Sequence, residues 1–172
     1  DDIETRGGNN LVNGSVGNDR VITGSGDDII FGDNGIAIYI AGRISNLSTT
    51  DTAIATAGND LLSSGDGADI VFGGLGDDSI DGGAGNDYLI GDSGEAQFNV
   101  AAVVPEKLTR IFSQTSGFGG ADTIQGGSGQ DILIGGANKD RLLGGAGEDF
   151  ISGDGGMASY TNGRLLSVET TE

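Results

Sequence analysis

The chain has no Cys, no His and no Trp, and only one Pro and one Met in 172 residues. Without Cys there is no disulfide framework and no thiolate chemistry. Without His as well, a zinc site of the usual type and the usual nucleophile-and-base pair are both excluded. Three Tyr and six Phe are too few large rings to fill an ordinary globular interior. Basic residues are scarce: eight Lys and Arg stand against 26 carboxylates, for a net charge of −18. Such a chain repels nucleic acid and anionic membrane surfaces, so no nucleic-acid partner is expected and divalent cations are. No apolar run approaches the roughly 18 residues of a membrane span, so no membrane insertion is expected. A secretory h-region and an initiating Met are also missing, so the chain reads as soluble and either processed or cut from something longer.

What is abundant is Gly, with 35 residues, and Asp, with 20. Acidic, Gly-rich chains poor in aromatics are ordinarily disordered, because they bury too little apolar surface to offset the entropy of ordering. Here, however, the acids recur at one spacing, each followed two places later by an aliphatic residue. Aligned on glycine, the units run GNNLVNGSV from 8, GNDRVITGS from 17 and GDDIIFGDN from 26. After a break in phase come GNDLLSSGD from 58, GADIVFGGL from 67, GDDSIDGGA from 76 and GNDYLIGDS from 85. A last group holds GADTIQGGS from 120, GQDILIGGA from 129, NKDRLLGGA from 138 and GEDFISGDG from 147. Eleven nonapeptides thus fall into three blocks, 8–35, 58–94 and 120–156, separated by inserted segments 36–57, 95–119 and 157–172.

This pattern resembles the repeats-in-toxin (RTX) family, the hemolysin-type calcium-binding repeat, whose G-G-x-G-x-D-x-U-x consensus binds Ca²⁺. The resemblance implies an all-β fold, a parallel β-roll or solenoid in which two nonapeptides make one coil. The residues support the same picture independently. Val12, Val21, Ile30, Leu62, Val71, Ile80, Leu89, Ile124, Leu133, Leu142 and Ile151 occupy one position of the unit. A strand of about three residues buries only its middle side chain, so one aliphatic per unit suits a thin two-sheet solenoid with an inward ladder. Glycines turn the corners, and Asn138, where Gly is expected, is the next most tolerant of left-handed backbone.

Calcium takes six to eight oxygens at about 2.3 to 2.6 Å, more than one turn supplies. By the resemblance, each ion lies between turns eighteen residues apart and takes an Asp from each. The complete pairs are Asp60 with Asp78, Asp69 with Asp87, Asp122 with Asp140, and Asp131 with Asp149. In the first block Asp28 faces Asn10 and Asp19 has no in-phase partner, so that block is expected to bind fewer ions or bind them more weakly. Lys139, beside Asp140, is expected to weaken its site. Asp33, Asp92 and Asp154 stand in G-D-x-G turns at the block ends, where Ala37, Ala96 and Ala158 occupy the regular Asp position. They read either as replacement ligands or as Asx-type turn residues. A stack of carboxylates about 4 Å apart would cost on the order of 4 kcal/mol per contact at an effective dielectric of 20, so cations are required to hold it. Multiple Ca²⁺ ions are therefore expected, with folding coupled to binding.

The inserts form a longer repeat. Tyr39, Phe98 and Tyr160 correspond, and Ala41-Gly42-Arg43 matches Asn162-Gly163-Arg164. Asn-Gly between alternating stretches signals a β-hairpin, and the middle copy is enlarged around Pro105. Leu11, Ile29, Phe31, Ile70, Phe72, Tyr88, Ile90, Ile132, Ile134 and Phe150 share one outward flank of the roll. The hairpins are predicted to cover it, with their aromatics packing and with Arg43 and Arg164 solvated. Ser63, Ser79, Asp81, Thr123, Gln125 and Arg141 make the other flank polar. The end TTE matches TTD at 49–51, and DDIETRGGNN resembles the stretch that follows it, so neither end reads as a finished cap. Uncapped solenoids stack, here on flanking repeats of a longer chain or on copies of this one, head to tail.

Function is expected to be structural: a secreted, extracellular calcium-binding module of a surface layer, filament or adhesin stalk, and not an enzyme. Two alternatives are an RTX folding and secretion appendage of a larger enzyme or toxin, and a ligand-binding adhesin segment. The regular carboxylates read better as ligands than as an acid and base. The glycines lack the following G-K-S/T of a phosphate loop.

Overall fold

The computed structural model describes residues 1–52, 57–101, 107–114, 118–161 and 164–170. The predicted turn at Asn162-Gly163 and the enlargement around Pro105 lie outside them.

Six coils build the roll. Their first strands, β1 (Asp2–Glu4), β3 (Arg20–Ser25), β7 (Leu61–Asp66), β9 (Ser79–Ala84), β13 (Thr123–Ser128) and β15 (Arg141–Ala146), form one parallel sheet in that order. Their second strands, β2 (Leu11–Asn13), β4 (Ile29–Phe31), β8 (Ile70–Phe72), β10 (Tyr88–Ile90), β14 (Ile132–Ile134) and β16 (Phe150–Ser152), form a second parallel sheet. The fold is the parallel β-roll that the repeat implies. Between the sheets lies the aliphatic ladder, with Val21, Ile30, Leu62, Val71, Leu89, Ile124 and Leu133 fully buried. Ile3 extends it. Residues 1–7 thus supply a partial unit ahead of the eleven read from the sequence, whose signal was Asp1 with Ile3 two places on.

The inserts form a third sheet. Three antiparallel hairpins, β5 (Gly35–Ile40) with β6 (Arg43–Thr49), β11 (Gly94–Asn99) with β12 (Lys107–Ser113), and β17 (Gly156–Thr161) with β18 (Arg164–Thr170), pair edge to edge. The joins are Leu47 opposite Ala96 and Ile111 opposite Ala158. Spacing explains why one hairpin follows every second coil. Two strands of hairpin and two coils of roll each advance about 9.6 Å at the common inter-strand distance, so the two layers stay in step. Ala41 and Gly42 turn the first hairpin with φ of 52° and 79°, the doubly positive turn that matches strand twist.

This third sheet covers the apolar flank. Phe31, Ile70, Phe72, Ile90, Ile132 and Ile134 are buried against Leu47, Ala96, Ile111 and Ala158. Phe31 and Phe72 stack with ring centroids 5.3 Å apart. A register shift recurs in all three hairpins, just before Tyr39, Phe98 and Tyr160. Phe98 and Tyr160 pack on this core. Tyr39, in the edge strand, remains exposed.

Candidate metal centre

A corner precedes each strand, and its shape follows from the glycines. All six corners that lead out of the first-sheet strands hold Gly in the left-handed region, Gly65 and Gly67 among them, and Asn138, in a corner that leads out of the second sheet, adopts it with φ 76°. Such turns bring main-chain N–H groups and carbonyls of successive coils into stacks, and aspartates fill the concave side.

The aspartates form two continuous ladders. In one, the N–H of Asp19 reaches Oδ1 of Asp60 at 2.8 Å, Asp60 reaches Asp78 at 2.8 Å, Asp78 reaches Asp122 at 2.8 Å, and Asp122 reaches Asp140 at 3.0 Å. In the other, Asn10 reaches Asp28 at 2.7 Å, and the line continues through Asp69, Asp87, Asp131 and Asp149 at 2.8 to 3.1 Å. Two readings of the sequence are corrected here. Asp19 does have a partner, Asp60, and Asp28 has Asp69 as well as Asn10, because the roll closes up across the inserted hairpin. The first block therefore joins both ladders, with the neutral Asn10 at the start of the second one as the sequence has it. Its phase break is a break in sequence and not in space.

Each step uses Oδ1 and leaves Oδ2 over. Oδ2 of Asp19, Asp28, Asp60, Asp69, Asp78, Asp87, Asp122, Asp131 and Asp140 is buried without a hydrogen-bond donor. An orphaned carboxylate oxygen costs more than about 1–3 kcal/mol, and repeated nine times it calls for a partner. A carbonyl of a neighbouring coil stands beside it. A Cβ added to Gly82 would lie 2.7 Å from both Asp87 Oδ2 and Gly126 O, and one on Gly126 would lie 2.5 Å from both Asp131 Oδ2 and Gly144 O. Gly14, Gly32, Gly73 and Gly91 stand likewise beside Oδ2 of Asp19, Asp60, Asp78 and Asp122. Only the missing side chain leaves these cradles open. A carboxylate oxygen and carbonyl oxygens around one small volume are the hard donors calcium prefers, and the spacing suits its bond lengths of about 2.3 to 2.6 Å. Among the described residues no three carboxylates converge on one point, so main-chain oxygens must supply much of each shell.

Electrostatics makes the same demand. Burial pushes the carboxyl of Asp78 up to about 9, and the neighbouring charges of Asp122, Asp60 and Asp33 add to the rise. Burial likewise raises Asp122 to about 8 and Asp87 to about 7. Asp60 rises to about 6, and Asp69, Asp131 and Asp140 are raised as well, all chiefly by burial. Backbone N–H donors pull each of them back down without cancelling the effect. At neutral pH these acids lack the positive charge that would keep them ionised, and the eight Lys and Arg are too few to provide it.

Asp33 and Asp92 do something else. Oδ1 and Oδ2 of Asp92 accept the N–H groups of Gly120, at 2.9 Å, and Ala137. Oδ2 of Asp33 accepts the Leu75 N–H at 2.7 Å, and the Gly58 N–H also lies close enough to lower its pKa. Asp92 thereby clasps two units of the following block across the inserted hairpin and Asp33 reaches one through Leu75, a long-range role additional to the ligand and turn readings, and Oδ1 of Asp33 is buried without a hydrogen-bond donor as the ladder Oδ2 atoms are. Asp154, in the equivalent place after the last block, is exposed.

Stacked coils with carboxylate-and-carbonyl corners define a metal-binding parallel β-solenoid. The family model for the RTX calcium-binding nonapeptide repeat matches in four copies, at residues 4–37, 47–80, 64–95 and 116–151, more than half of the chain. The chain belongs to that family, and it is a Ca²⁺-binding β-roll module. No curated protein and no solved structure matches it.

Proposed function

We propose that the chain is a secreted structural module that folds as calcium fills its two aspartate ladders and then stacks end to end with further super-repeats, without catalytic activity of its own. The observation that carries this reading is the row of buried, donorless Oδ2 atoms running unbroken through the roll. Such a row is costly without cations and cohesive with them, as an extracellular building element in a calcium-rich medium requires. Exposed apolar side chains at both ends of the roll, Leu11 and Ile38 at one and Ile151 and Leu165 at the other, support stacking. No helix is long and apolar enough to cross a membrane among the described residues.

The test is calcium titration of the purified chain, followed by circular dichroism and sedimentation velocity. Ordered β signal should appear with several equivalents of calcium, and larger particles should follow. A roll that keeps its β signal at neutral pH after exhaustive EGTA treatment, with no metal by elemental analysis, would overturn the reading.

A further inference from the structure

We propose that the β15–β16–β18 end of the roll docks on the β1–β2–β5 face of a second copy in the register that joins its own super-repeats. Asp154, Thr170 and Arg141 of one copy then meet Val16, Gly35 and Asp2 of the next. The proposal rests on the end-to-end assembly proposed above and specifies its contacts.

The chain holds three super-repeats, each two coils and a hairpin, and the two internal junctions share the same contacts. At the first, Asp33 accepts the Leu75 N–H at 2.7 Å, and Gly94 N–H donates to Thr49 Oγ1 at 3.1 Å. At the second, Asp92 accepts the Ala137 N–H, and Gly156 N–H donates to Ser113 Oγ at 3.0 Å. Among the described residues, nothing lies opposite the same donors and acceptors of the last super-repeat. Asp154 stands where Asp33 and Asp92 stand, but is exposed, whereas those two are buried. Thr170, opposite Gly156, repeats Thr49 opposite Gly35 and Ser113 opposite Gly94, so a hydroxyl recurs at all three places. On the opposite end, Val16 occupies the position of the buried Leu75 and is 57 % exposed.

Charge fits the same register. The outer row of the first sheet reads Asp2, Arg20, Leu61, Ser79, Thr123, Arg141 in register. Arg20 Nη1 meets Asp2 Oδ1 at 2.6 Å. The row begins with an acid and ends with a base, so docking brings Arg141 beside the second copy's Asp2. In a chain with so few cations, this placement favours one orientation over its reverse. Apolar burial points the same way: Ile151 is 45 % exposed, while Ile30 and Leu89, its equivalents, are fully buried under the next coil. Docking would cover it.

The absence of Cys makes the register testable. By continuation of the internal pairings, Leu143 falls opposite Glu4 of the second copy, at the inter-strand distance of about 4.8 Å, which a disulfide spans. The full chain carrying L143C is mixed with the chain carrying E4C, in calcium under mild oxidation. Mixed dimers are expected, whereas R141C mixed with E4C, offset by two residues along the strand, should give at least about tenfold fewer, because the separation exceeds the roughly 7 Å limit. Gly153→Ala is the second arm. A Cβ there meets nothing within 4 Å, whereas at the equivalent Gly32 and Gly91 it would strike an aspartate Oδ2 and a glycine carbonyl of the next coil. G153A should keep the β signal and melting of the single chain and weaken self-association at least about tenfold. Equal cross-linking of both pairs, or unaltered self-association of G153A, would overturn this register while leaving assembly itself intact. A chain that stays monomeric at every calcium concentration would overturn both.

Discussion

The main-chain N–H of Asp60 donates to Oδ1 of Asp78 at 2.8 Å, and Oδ2 of the same Asp78 is buried with no donor at all. One carboxylate thus has two separable duties, tying adjacent coils and facing the metal. Asp78→Asn retains an oxygen for the Asp60 N–H but places a neutral group in the cradle. Asp78→Ala loses both. Both variants should raise the calcium concentration needed for folding, at least about tenfold, in a circular dichroism titration. At saturating calcium, D78A should lose a further 1–3 kcal/mol or so in urea unfolding, the cost of stranding a buried N–H. Equal behaviour of the two variants would mean that the inter-coil bond contributes nothing.

The raised carboxyl groups set a pH dependence with a definite sign. In the metal-free roll, Asp60, Asp87, Asp122 and Asp78 titrate at about 6, 7, 8 and 9, against about 3.9 for an unfolded Asp. The folded state then binds more protons than the unfolded one. The resulting stability is fully present below about pH 4 and is lost as pH rises through 6 to 9. In EGTA, the β signal should therefore fall as pH rises from 4 to 9. With calcium the trend reverses, because metal and protons compete for the same oxygens, and affinity should rise across that range. A flat EGTA profile would count against the burial of these acids.

Two glycines separate the need for space from the need for backbone freedom. Gly82 has no left-handed φ, yet a Cβ on it would press on Asp87 Oδ2, Gly126 O and, at 3.1 Å, Leu89 Cδ1. Gly17 has φ 99° and nothing within 4 Å of its Cβ position. Gly82→Ala should lose a calcium equivalent by isothermal titration calorimetry. Gly17→Ala should keep the full count and lose only about 1–2 kcal/mol of stability to backbone strain. Loss of calcium in G17A, or its full retention in G82A, would show the cradle to be misassigned.

Much of this was legible in the residues because the repeat fixes one role per position. The aliphatic two places after each Asp predicted the inward ladder, and the apolar flank of Ile70, Phe72 and Ile90 predicted a cover. What could not be read was long-range. Asp19 and Asp60 are separated by a hairpin that breaks the count of nine, so their stacking is invisible until the roll is known to close across it. Pairing of Leu47 with Ala96 depends on two hairpin strands matching two coils in height, a metric fact that no sequence window contains. The clasps of Asp33 and Asp92 were missed for the same reason, since Leu75 and Ala137 lie more than forty residues away.

The hairpin sheet should stabilise the roll without touching the metal. Ile111 and Leu47 are fully buried between the third sheet and the outer flank, on the far side of the second sheet from the aliphatic ladder. Ile111→Ala removes packing from this layer alone and should cost about 2–5 kcal/mol at saturating calcium, the usual range for truncating a buried aliphatic. Leu62→Ala cuts into the ladder between the two parallel sheets, next to Asp60, and should cost a similar amount. The difference lies in calcium. Because folding is coupled to binding, both losses should raise the calcium midpoint by linkage. At saturating calcium, isothermal titration calorimetry should count the full number of ions in I111A, because the corners are carried by the coils themselves, and fewer in L62A, because the ladder sets the coil spacing that the aspartates share. Fewer ions in I111A would mean that the third sheet holds the corners in place, and that the hairpins belong to the metal-binding machinery as much as the coils do.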